Sequence, residues 1–186
     1  MRVRWVVMGW AAACLLAAAT ASAAEVKFAA KEPVLLMSAG QSADVQMVKI
    51  LLDRNKISAK TSPLAGPDEL QGMKTLAVAV GGSGKGLGAA GIDVEKEAAR
   101  VRKVLEKAKA MGVPVLALMI GGQSKRGELS DPFITQVTAS ASYLIVVKEG
   151  DQDGFISKAA AKAKVPIRFV EKISEVQEPL KTIFGK

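Results

Sequence analysis

The chain has no histidine, a single cysteine (Cys14) and only 4% aromatic residues. The cysteine and both tryptophans, Trp5 and Trp10, fall within the first 23 residues. Those residues read as a removable leader, so the domain behind them has no thiol, imidazole or indole. That excludes structural disulfides, nucleophilic catalysis by a cysteine or a Ser-His-Asp triad, and zinc sites built from His and Cys. An Asp/Glu oxygen site for a hard cation stays open. The scarcity of aromatics argues against a sugar-stacking platform. Long hydrophobic runs are also missing. The apolar stretch 6–19 is too short and Ala-rich for a permanent membrane anchor, and no second run of spanning length follows.

The leader has three parts. Arg2 and Arg4 give a basic start, residues 6–19 an apolar middle, and Ala21-Ser22-Ala23 a small-x-small cleavage signal. Cleavage is expected after Ala23, with export to a periplasm or the extracellular space. Ala11-Ala12-Ala13-Cys14 offers lipid attachment at Cys14 as an alternative, without the usual Leu three residues before the Cys. The expected organisation is a leader at 1–23, a lead-in at 24–32 and one α/β domain at 33–186. The 163 residues after cleavage suit one domain with a single core. The formal charge of +8 falls by two, to +6, when Arg2 and Arg4 leave. That excess serves solubility or attracts anionic partners. With no dense Lys/Arg cluster, no interleaved aromatics and no recognised motif, nucleic acid is not an expected partner.

Hydrophobic patterning alternates between strands and helices about six times. Continuous apolar runs at 33–37, 75–80, 113–120, 143–147 and 165–170 predict strands buried on both faces, with a weaker strand at 57–61 near an edge. Val45, Val48, Leu51 and Leu52 share one helical face, with Asn55 as a left-handed stop. A short helix starts at Pro67. The longest helix, 93–111, presents Val94, Ala98, Val101, Leu105 and Ala108 to the core. Its wet side carries Lys96, Arg100, Lys103, Glu106 and Lys107, and Gly112 ends it. Asp131-Pro132 opens another helix, a further one covers 155–163, and a last one lies within 174–184, where Ser174 and Gln177 suggest a capping box. The pattern predicts a three-layer α/β sandwich, flavodoxin-like or Rossmann-like, around a mostly parallel five- to six-stranded sheet with order 2-1-3-4-5 for the first five strands.

In such a sheet the strand-to-helix loops converge on one edge, where ligands bind. The loops here are 38–42, 81–91, 121–130 and 148–154. The stretch 86–91 spells G-x-G-x-x-G, but it follows the third strand and has no acid about twenty residues on; residues 84–86 do not make a P-loop. The glycines therefore read as conformational freedom and close chain approach, or as a backbone-amide site for a small anionic or polar ligand. Candidate ligand-binding residues are Ser38, Gln41, Ser42, Ser83, Lys85, Gln123, Lys125 and Arg126, with Lys85 and Arg126 as charges for a phosphate, sulfate or carboxylate. Asp93 and Glu128 are a possible acidic group. Asp93, Glu95 and Glu97 also read as first-turn acids compensating the helix dipole. Asp151 and Asp153 have a calcium-loop flavour, but Ala159 and Ala160 stand where the later acidic ligand is needed. No cofactor or metal is predicted.

The phrases PVLLMSAGQSADVQMVKILLD, GLGAAGIDVEKE, GGQSKRGELSD and YLIVVKEGDQDG together resemble a family of small exported bacterial domains of unknown function. The resemblance runs from about Pro33 to the C-terminus. It implies an exported α/β domain, no established activity and no transferable catalytic residue. Three readings follow: a non-enzymatic domain binding a small anionic or polar ligand, a hydrolase or transferase using Asp or Glu at the same edge, and an envelope interaction module with an unidentified protein partner.

Overall fold

Strands β1 (Val34–Ala39) and β3 (Thr75–Val80) are buried at every position. Apolar side chains on both faces require cover on both sides, and a parallel sheet between helix layers supplies it. In the computed structural model, which describes residues 28–186, six strands form one all-parallel sheet. The others are β2 (Ala59–Thr61), β4 (Val115–Met119), β5 (Tyr143–Val147) and β6 (Ile167–Val170), and the order is β2-β1-β3-β4-β5-β6. This is the expected order 2-1-3-4-5, extended by one strand. The leader, Cys14 and the first four residues of the lead-in, 24–27, lie outside the described residues.

Side chains alternate strictly between the two helix layers. On one face Val34, Leu36, Ala77, Ala79, Leu116, Leu118 and Ile145 pack under α1 (Asp44–Arg54) and α6 (Gln177–Phe184). On the other, Leu35, Met37, Leu76, Val78, Ala117, Leu144 and Val146 pack under α3 (Val94–Met111), α4 (Asp131–Thr138) and α5 (Phe155–Ala163). Val45, Val48, Leu51 and Leu52 of α1 are the buried face the spacing predicts. Gly112 closes α3 in the left-handed conformation, and Pro132 sits in the first turn of α4. Among the described residues no helix is long and apolar enough to cross a membrane.

Several local expectations are corrected. The segment 81–91 is not an open loop: Gly84–Ala89 forms helix α2, capped by Ser83, whose Oγ accepts the Gly86 N–H at 3.0 Å, and held down by buried Leu87. Three glycines make a poor helix, so this one forms through its cap and its packing. Ser38 belongs to β1 rather than to the following loop. Lys56, not Asn55, takes positive φ after α1, and Asn55 instead donates from Nδ2 to the Leu51 carbonyl. On α3, Val94 is exposed and Glu97 is buried, so the inward stripe begins almost one turn later than expected, at Glu97. The Ser174–Gln177 capping box does not form; a 3-10 turn at Ile173–Val176 leads into α6.

Candidate functional site

The direction in which strands are added to the sheet reverses between β1 and β3, because β2 lies on one side of β1 and all later strands on the other. This is the topological switch point, where the two loops diverge and ligands bind in open α/β sheets. Here glycine lets the loops meet instead. Gly40 has φ +95°, and a Cβ on it would stand 2.6 Å from the Gly81 carbonyl oxygen. Gly82 packs directly on Leu129, and Gly86 on the Gln41 carbonyl oxygen. The Ser83 N–H donates to the Gly40 carbonyl at 2.8 Å, and Gly82 bonds the Ser130 hydroxyl at 2.9 Å. The glycines are spent on backbone contact between loops.

The candidate residues separate accordingly. Ser38 is fully buried in β1, and its Oγ has no hydrogen-bond partner. Gln41, at φ 57°, turns its amide inward to the Pro63 carbonyl and to Glu97. Ser42 is buried and accepts the Asp44 N–H at 3.2 Å. Ser83 is occupied as the cap of α2, while Lys85 is exposed on it. Gln123 and Glu128 are exposed, and Lys125 lays its stem across Gly121. Asp93 caps α3, accepting the Lys96 N–H at 2.7 Å. The loop after β3 touches residues 129 and 130 rather than 123–126, so Ser83 and Lys85 are not brought to Gln123, Lys125 and Arg126 by these contacts.

Two ion-pair clusters brace the edge, and the spacing of the sequence hides both. Arg100, expected on the wet side of α3, points inward to buried Glu97 and forks onto its carboxylate with two 2.8 Å bonds. Its remaining donors reach the Ala65 carbonyl at 2.7 Å and the Ser38 carbonyl at 2.6 Å. Glu97 also accepts the Gly40 N–H and the Gln41 amide, both at 3.0 Å. Arg126 is likewise enclosed, its side chain only 7% exposed. It binds Asp131 at 2.8 Å, Asp153 at 3.0 Å and the Gly150 carbonyl at 2.6 Å, and lies 4.7 Å from the Phe155 ring centre. These bonds occupy the guanidinium that an anion site would need.

These clusters set the acid response. Burial pushes the Glu97 carboxyl up, but the Arg100 fork and the bonds from Gly40 and Gln41 outweigh it and hold the group below its ordinary range. Arg126 lowers Asp131 and brings Asp153 to about 2. A depressed folded-state pKa gives stability that is fully present above the unfolded value, about 4.3 for Glu and 3.9 for Asp, and lost as pH falls through the folded one. The unfolding midpoint should therefore hold from neutral pH to about 5 and fall steeply from about 4 toward 2. Glu97 should dominate, since Asp153 is exposed and screened. Thermal unfolding across that range checks this. The Glu97→Gln chain should show a shallower slope.

One carboxylate at the edge has a buried oxygen left without a partner. Asp44, in the first turn of α1, aims Oδ2 over the loops after β3 and β4. That atom lies 2.6 Å from where a Gly121 side chain would start and 3.4 Å from the Gly81 position. That one oxygen is buried and has no hydrogen-bond partner, while Asp44 as a residue is only partly buried. Of the buried orphan side-chain atoms among the described residues, it is the only one on a charged group. Ser38 Oγ, another of them, lies on the same sheet face near the same strand end, beside Ala79 in register. Beyond Gly121 opens a cavity of about 410 Å³, floored by Ile120, Val147 and Ile173 and walled by Gly122, Glu149, Glu171, Lys172 and Ser174; Asp44 is not among its lining residues. A hollow of about 400 Å³ at the opposite sheet edge, between the ends of α3, α4 and α5, has Lys109 as the one charged residue in its lining. The edge that carries the unsatisfied charge is the stronger candidate. Reading α1 by its spacing makes Asp44 a dipole-compensating acid; the signal that it does more is the glycine at 121, where any side chain would crowd it. Among the described residues no group of three or more His, Cys, Asp or Glu is arranged to hold a metal.

No curated protein sequence matches the chain. Solved structures match it weakly. A Schiff-base-forming fructose-1,6-bisphosphate aldolase is 11% identical with a TM-score of 0.35, covering 81% of each chain. The psychrotrophic esterase EstA from Pseudoalteromonas sp. is 10% identical with a TM-score of 0.35, covering 75% of this chain and 78% of that one. AlinE4, an SGNH-hydrolase family esterase, is 12% identical with a TM-score of 0.33, covering 80% and 78%. No chemistry transfers at that level of likeness. A family model matches residues 31–184, and by that match the chain belongs to the family described as Domain of unknown function (DUF6305).

Proposed function

We propose that the chain is an exported, small-molecule-binding domain. Its ligand sits at the C-terminal edge of the sheet and gives a hydrogen-bond donor or positive charge to Asp44. The observation that carries this reading is the orphan Asp44 Oδ2 between Gly81 and Gly121. Leaving a buried charged acceptor unmade costs about 1–3 kcal/mol or more, and such a cost is tolerated where a ligand supplies the missing partner. The residues 1–23 support the exported setting. The anionic half of the expectation is weakened, because the Arg126 guanidinium is already bound to Asp131 and Asp153. A second reading makes Asp44 a general base. The same unpaired carboxylate favours it, and in a chain without histidine a carboxylate is a natural group for that role.

The test is a thermal-shift screen of the purified chain against amino acids, amines, sugars, sugar phosphates, phosphate, dicarboxylates and divalent cations. A ligand of the folded state raises the midpoint with its concentration. At least one class should do so, and Asp44→Asn should remove the shift. A shift that survives Asp44→Asn, or no shift from any class, overturns the reading. Turnover of a compound that binds, lost in Asp44→Asn, would favour the general base.

A further inference from the structure

The sheet edge opposite the candidate site carries the net charge of the domain. The segments 28–34, 53–59, 71–75, 109–115, 139–143, 161–167 and 184–186 form it, leading into strands or ending helices. Eight Lys and Arg there meet two acids and leave +6, whereas the fifteen Lys and Arg in the rest of 28–186 meet fifteen acids. Both acids at this edge are taken, Glu32 by Lys186 at 2.7 Å and Asp53 by Lys49. Lys31, Lys56, Lys74, Lys109, Lys162 and Lys164 are exposed and make no ion pair among the described residues. Helix dipoles account for a lysine at a helix end, but Lys31 and Lys74 follow no α-helix. A lysine stands within six residues ahead of five of the six strands, β5 excepted. From β2 to β6 the row is about 24 Å wide. A compact anion would reach one or two of these lysines; a flat anionic surface reaches them all. Met111, 38% exposed, stands among them at the end of α3, an apolar side chain suited to the boundary between headgroups and acyl chains. The hollow of about 400 Å³ at this edge opens beside Lys109, with Ser140 and Ser142 in its wall. The chain also enters the fold here. Phe28 stacks on Tyr143 at the start of β5 with ring centres 5.2 Å apart, and the Ala30 N–H donates to the Ile183 carbonyl at 2.8 Å. Eight residues separate Phe28 from the apolar stretch 6–19, a tether of at most about 32 Å. With that stretch in a membrane, the tether attaches at this edge.

We infer that this edge docks on an anionic lipid bilayer, its lysines over the headgroups and Met111 among them, with the candidate site turned away. The inference does not depend on what Asp44 binds. The full chain is titrated with phosphatidylcholine vesicles, with and without phosphatidylglycerol, at low and at physiological salt. It should prefer the vesicles with phosphatidylglycerol, and salt should weaken the preference by screening. Lys109→Gln combined with Lys162→Gln should weaken it about fivefold for each lysine removed. Lys96→Gln combined with Lys158→Gln takes the same charge from the opposite ends of α3 and α5, and should leave the preference within about twofold of the parent. No preference for phosphatidylglycerol overturns the inference. So does an equal loss from both pairs, which marks net charge rather than this edge. A preference that neither pair moves assigns the binding to Arg2 and Arg4 of the leader and also overturns it. Soluble polyglutamate bound as tightly as the vesicles, and weakened by the Lys109 and Lys162 pair, would make the partner an acidic chain and overturn the bilayer.

Discussion

Replacing Arg100 by Met should lower the unfolding free energy by about 3–5 kcal/mol, the cost of leaving a buried carboxylate without its partner. At about 2–4 °C per kcal/mol for a domain of this size, the midpoint should fall by about 6–20 °C. The asymmetry of the pair sharpens the expectation. Glu97 is 0% exposed and Arg100 15% exposed at their side chains. Glu97→Gln removes the charge from the deeper partner, keeps an acceptor for Gly40 and leaves Arg100 bound to the Ala65 and Ser38 carbonyls. It should cost about 1.5–3 kcal/mol, the range of a charged hydrogen bond. Combining the two substitutions should recover part of the Arg100→Met loss, since no buried charge remains unpaired. Chemical denaturation of the four chains measures this directly. Equal losses for the two single variants would mean that the charge on Glu97 is not what the cluster is built around.

The second large effect belongs to one helix with two opposite outcomes. Gly86→Ala should destabilise by about 2–3 kcal/mol, because the new Cβ would overlap the Gln41 carbonyl oxygen, a backbone atom that cannot swing away. Gly88→Ala, two residues further along α2, meets nothing within 4 Å and should stabilise by about 0.5–1 kcal/mol through helix propensity and a less flexible unfolded chain. If the stretch were an open loop, both substitutions would be nearly neutral. Thermal unfolding of the two variants side by side distinguishes the two pictures.

Residues near in sequence made the fold legible; residues distant in sequence kept the site hidden. The buried face of α1, the Gly112 stop, Pro132 in the first turn of α4 and the strand order rest on local periodicity and on rules of chain connection. Glu97 looked like a first-turn acid, because its reason for facing inward lies 57 residues earlier at Gly40. Arg126 looked like a free charge for an anionic ligand, because Asp153, one of its partners, stands 27 residues later. The glycines of 81–91 imitate a nucleotide loop for a physical reason: both uses need a backbone without Cβ where another group approaches closely. A phosphate makes that approach in the nucleotide fold, and here the Gln41 carbonyl, Leu129 and the loop at Gly40 make it. Asp44 was visible as an acid at the start of a helix. Its lack of a partner depends on three loops meeting, which no local pattern encodes.

The most direct test of Asp44 as a carboxylate kept for a ligand is the unfolding midpoint of Asp44→Asn against the parent chain, both free of ligand at neutral pH. Removing a carboxylate oxygen that is buried without a partner should gain about 1–3 kcal/mol, and losing the favourable interaction of the charge with the N-terminus of α1 should return about 0.3–1 kcal/mol. The net gain of about 1 kcal/mol should raise the midpoint by about 2–4 °C. A midpoint that falls would show that Asp44 is already satisfied within the chain, and would contradict the account.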